Sequence, residues 1–106
     1  MNVASAVNGS WVISASDPPA TLEILLPKQT VVLSWNQFVY AEGDSEQLRI
    51  SFASHDAVIN GAGLDPLLAA VAAHRVVFIR EGVRSERFSE QARFIREIVV
   101  RKIDAE

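Results

Sequence analysis

The sequence predicts an α+β domain: one bent antiparallel sheet of about six strands, a roll or partial barrel, with a short helix near residues 65–74. Three observations carry this expectation. The first half of the chain is a series of short β-branched or alternating segments separated by turn residues. Leu64, Leu67, Leu68, Val71 and Ala72 then recur at the spacing of one helical face. The strands also precede the helix as a block instead of alternating with helices, which favours α+β over a doubly wound fold.

Taken in order, Asn8-Gly9 is a turn signal and "WVIS" after it a short strand. Asp17-Pro18-Pro19 breaks regular structure, because proline donates no ladder hydrogen bond. "LEILL" (22–26) reads as a strand closed by Pro27, and "TVVLSWNQFVY" (30–40) is rich in residues that suit a pleated surface. Val31, Leu33 and Trp35 share one parity while Phe38 and Tyr40 share the other, so a bulge or kink is expected near Ser34–Gln37. "QLRISF" alternates cleanly, with Leu48, Ile50 and Phe52 inward, and residues 30–40 and 47–53 are expected to form a hairpin. "AVIN" is a further short strand and "VVFIR" (76–80) a buried one. The tail admits two readings. Phe88, Ala92, Ile95 and Val99 have helical spacing, but "EIVVRKI" suits a strand; a turn or short helix at 85–93 followed by a strand at 95–102 accommodates both.

Composition narrows the function classes. At 106 residues the chain is read as one domain, residues 1–106, with 1–20 expected to be less ordered. It is 49% hydrophobic before its five glycines are counted, whereas ~45–50% is usual with glycine included. That surplus predicts burial against a second copy, a dimer first of all. There is no cysteine, which excludes disulfides, thiolate metal sites and cysteine nucleophiles, and with two histidines no metal site or cofactor is expected. No apolar run is long enough to span a membrane, and the start lacks a cationic leader, so a cytoplasmic location is expected.

The stretch "SHDAVINGAGLDPL" (54–67) concentrates the candidate chemistry. Gly61-x-Gly63 leads from a strand into a helix, as phosphate loops do. The third glycine of the dinucleotide fingerprint and the Gly-Lys-Ser/Thr of a P-loop are both missing, and Asp65 would repel an anion. A turn explains the glycines, with Asp65 as helix cap and Pro66 in the first helical position. His74 and Arg75 then fall at the far end, where positive charge suits the helix dipole. His55-Asp56 is the candidate for acid–base catalysis, although neighbours in a strand point to opposite faces and adjacency alone makes no dyad.

Two further sets are candidates for binding. Trp35 and Tyr40, with Phe38, line a ligand pocket or anchor an interface if they are not core, and Trp11 is a candidate for packing across a subunit boundary. Arg84 and Arg87 belong to a run with Arg75, Arg80, Arg93, Arg96, Arg101 and Lys102 that would serve a nucleic acid if it met on one face. Glutamates interleave it and the protein is acidic, with net charge −3, so nucleic acid is the less favoured partner. The expected function is a non-enzymatic protein-interaction or ligand-binding module that forms homo-oligomers. The alternatives are regulatory nucleic-acid binding through the C-terminal arginines and a small enzyme using His55 and Asp56.

Overall fold

The turn at Trp35–Gln37 determines the architecture. A computed structural model describes residues 4–7, 10–82 and 93–103, with side chains from Ser10 onward. The strands are β1 (Ala4–Val7), β2 (Trp11–Ser14), β3 (Thr21–Leu25), β4 (Thr30–Ser34), β5 (Phe38–Gly43), β6 (Gln47–Phe52), β7 (His55–Ala62), β8 (Val76–Arg80) and β9 (Phe94–Lys102). A single helix among the described residues, α1 (Asp65–Ala72), lies between β7 and β8.

The α+β class with antiparallel pairing is as the pattern predicts. The sheet, however, is two sheets, and neither closes into a barrel. One has the order β1-β2-β8-β3-β4, with only β3 and β8 parallel; the other is the antiparallel meander β5-β6-β7-β9. The parity break at Ser34–Gln37 is the cause. It is a 3₁₀ turn, with the Ser34 hydroxyl accepting from the Asn36 amide, and it sends the chain from one sheet into the other. Residues 30–40 are therefore two strands. β4 pairs with β3, and only β5 forms the expected hairpin with β6.

Both sheets face one core. Leu22, Ile24, Leu33 and Ile79 from the first meet Leu48, Ile50, Phe52, Ile59 and Ile95 from the second, and Leu67 and Val71 of α1 complete it. Burying each such side chain contributes about 1.5–3 kcal/mol. Trp11 is 1% exposed and belongs to this core, so it does not reach a subunit boundary. Trp35 is 5% exposed; its indole Nε1 donates to the Val76 carbonyl at 3.3 Å, and its ring stacks on His74 at 4.9 Å with 11° between planes.

The stretch after Ser54 differs from its sequence reading in three ways. β7 begins at His55 and runs through Gly61, because the partly exposed Asp56, Val58 and Asn60 alternate with buried Ala57, Ile59 and Gly61. Gly61 is thus a strand residue at a register shift against β9; a Cβ there would stand 2.1 Å from the Phe94 carbonyl oxygen. Gly63, at φ 63°, makes the turn. Asp65 lies in the first turn of α1, whose cap is Leu64 with no side-chain hydrogen bond. The helix ends at Ala72, and His74 adopts φ 58° beyond it.

The strand at 95–102 is present as β9, one residue longer at its start. The turn or short helix at 85–93 falls, except for Arg93, outside the described residues, as do the Asn8-Gly9 turn, Arg84 and Arg87.

Candidate functional site

The meander turns Leu48, Ile50, Phe52, Ala57 and Ile59 inward, so the alternate residues form a lattice on its outer face. Strand register sets Tyr40, Ser51, Asp56 and Arg101 in one row across β5, β6, β7 and β9. The next row is Glu42, Arg49, Val58 and Val99, and the third joins Gln47, Asn60 and Glu97.

Asp56 holds the first two rows together. Its Oδ1 accepts from the Ser51 hydroxyl at 2.6 Å and its Oδ2 from the Arg49 guanidinium at 2.8 Å. The Ser51 hydrogen bond and then the Arg49 guanidinium lower the Asp56 carboxyl below its ordinary value, with Arg101 adding to the effect. The same contact with Asp56 raises the Arg49 guanidinium. In the third row Gln47 donates to Asn60 at 2.8 Å and Asn60 to Glu97 at 3.3 Å. At the β5–β6 turn, Asp44 accepts from the Glu46 and Gln47 amides, which lowers its carboxyl. A shallow groove of about 650 Å³ opens beside that turn, between Glu42, Gly43, Asp44, Gln47, Arg49 and Val58.

His55 does not join Asp56. Its Nδ1 lies 2.7 Å from the Ser54 hydroxyl, while both carboxylate oxygens of Asp56 are taken by Ser51 and Arg49. Alternation along β7 places the two side chains on opposite faces of the strand. Tyr40, by contrast, stands in the same row as Asp56 and is 39% exposed. Trp35 lies in the core. The described arginines of the run are spread out: Arg101 lies on the outer face of β9, Arg96 is exposed where that strand shifts register against β7, and Arg75 donates to the Ser14 and Ser16 carbonyls. Among the described residues no group of histidine and carboxylate side chains has the arrangement of a metal site.

No known protein family, characterised protein or solved structure matches this chain.

Sequence reasoning missed the part played by β9. Among the described residues it is the longest strand and an edge of its sheet, paired on one side only, with β7. Of the large apolar side chains exposed in the described residues, Val39 and Tyr40 lie on edge strand β5, Val99 lies on β9, Ile103 just beyond it, and Val32 on β4, an edge of the five-stranded sheet. The signal was there in "EIVVRKI", whose β-branched residues are more numerous than one buried face requires. No helix among the described residues is long and apolar enough to cross a membrane.

Proposed function

We propose that this chain is a non-enzymatic protein-interaction module that assembles with copies of itself through the four-stranded sheet, a dimer being the smallest assembly. The observation that carries this reading is that four of the five large apolar side chains exposed among the described residues, Val39, Tyr40, Val99 and Ile103, belong to or adjoin this sheet, the fifth being Val32 on β4. These exposed apolar groups lie on or beside the two edge strands, around a polar lattice whose members already bond to each other. Exposed edges that also carry apolar side chains are natural templates for another chain.

A second copy fits better than a polyanion. The face mixes Arg49 and Arg101 with Asp56, Glu42 and Glu97, and a partner of equally mixed charge complements it. We place its work in the cytoplasm. Light scattering after size exclusion across a dilution series tests the proposal. The mass is expected to rise from 11.6 kDa toward twice that value with concentration. A constant 11.6 kDa up to roughly 0.5 mM, where even weak interfaces are populated, overturns it.

A further inference from the structure

We infer that the self-association site is the free edge of β9, which pairs antiparallel with β9 of a second copy about a two-fold axis at Val99. The inference rests on the homo-oligomer reading above and names its surface and register.

The direction of the backbone groups comes first. Ile103 donates to the Ser54 carbonyl at 2.8 Å, so residues 97, 99, 101 and 103 bond toward β7. The amides and carbonyls of Ile98, Val100 and Lys102 therefore point to the open side. The Ile98 amide confirms this direction by donating to Glu81 Oε2 at 3.3 Å. Gly82 donates to the Ile95 carbonyl and Ser10 Oγ accepts from the Ile95 amide, so the start of β9 is occupied. Among the described residues no strand pairs with this side of β9.

The side chains then select the register. Glu97, Val99 and Arg101 share the outer face, and the sequence Glu-x-Val-x-Arg is complementary to itself when reversed. With Val99 opposite Val99 of the second copy, Glu97 stands opposite Arg101 on both sides of the axis. Opposite charges directly across a strand pair are favourable and like charges unfavourable. The same register makes Ile98 and Val100 the hydrogen-bonded pair, using the backbone groups that are turned outward. On the other face it brings Val100 of the second copy beside Ile98, which lines a depression of about 300 Å³ with Leu26, Pro27, Lys28 and Gln29. Moving the axis to lie between Ile98 and Val99 would set Arg96 against Arg101, and moving it to Arg101 would set that residue against itself. The Val99 register brings Arg96, where β9 shifts register against β7, near Lys102 at both ends of the pairing, and these like charges are exposed to solvent and screened.

Glu81 acts as a guard on this edge. It occupies the Ile98 amide in the single chain and must release it for the strands to pair. A charged side chain on an edge is a common device against uncontrolled strand pairing. An edge contact of this length belongs with the smaller interfaces, below about 1,200 Å², and a weak, concentration-dependent dimer is expected.

The test uses Glu97→Arg and Arg101→Glu as separate full-length variants, with mass measured by light scattering beside the wild type. Each variant alone opposes like charges twice and is expected to associate at least about tenfold more weakly than wild type. An equimolar mixture pairs the added arginine with the added glutamate and is expected to recover the dimer. Local disturbance of Asn60 or Asp56 would not be repaired by mixing. Wild-type dimers with both variants still dimeric, or variants that stay monomeric when mixed, overturn the register and leave the homo-oligomer reading standing. A wild type that is monomeric throughout overturns both.

Discussion

Trp35 and His74 stack face to face at 4.9 Å, joining the turn that divides the two sheets to the left-handed residue just beyond the helix. Phe38 and Phe52 pack against the same indole at 5.6 and 5.5 Å, so the aromatic cluster holds the place where the chain changes sheet. Truncating Trp35 to alanine is expected to cost about 3–5 kcal/mol in chemical denaturation. His74 sits at φ 58°, so His74→Ala loses the stack, worth about 1 kcal/mol, and retains the backbone strain. His74→Gly relieves that strain and is expected to be the milder change.

The Asp56 network predicts an acid limb in stability. Its carboxyl is lowered in the folded protein by Ser51 and Arg49, while an unfolded aspartate titrates near ~3.9. The stabilisation is therefore complete above that value and is lost as pH falls through the lower folded value. Thermal melts between about pH 2 and pH 6 should show a fall in wild type that is shallower in Asp56→Asn. At neutral pH the same variant is expected to lose only about 1 kcal/mol, because Arg49 is exposed and its ion pair is screened.

Gly61 allows β7 and β9 to approach at their register shift. A Cβ 2.1 Å from a backbone carbonyl oxygen forces the strands apart, and Gly61→Ala is expected to destabilise the fold by at least about 2 kcal/mol. Denaturant titration reads this directly. A loss no larger than that of an ordinary surface substitution would show that the strands do not meet as described.

Two edge variants address association without touching the core lattice. Glu81→Ala frees the Ile98 amide and is expected to tighten the dimer severalfold in the dilution series. Val100→Pro removes an amide that points away from β7, so it should abolish association while sparing the β7–β9 ladder. A dimer unaffected by Val100→Pro does not use this edge.

Much of this fold was legible because local chemistry and burial agree. The alternation in "QLRISF" gave β6, and the helical spacing from Leu64 gave α1. The break in parity around Trp35 was also visible, but parity cannot say that the two halves join different sheets; that is settled by pairing with β3 and β6, which are distant in the chain. Gly61 reads as a turn because glycine serves turns and close strand approach alike. Tyr40 and Asp56 each stand out in the sequence, but register alone brings them into one row. The β9 edge was hidden for a similar reason: which face and which backbone groups stay open depends on β7 and Glu81, not on the composition of the strand.

Amide hydrogen exchange of the wild-type protein, measured at low and high concentration, tests the β9 assembly most directly. Protection of the Val100 and Lys102 amides is expected to rise with concentration, while the Val99 and Arg101 amides, already bonded toward β7, stay protected throughout. Unchanged exchange at Val100 and Lys102 in a sample that has become dimeric would contradict pairing through this edge.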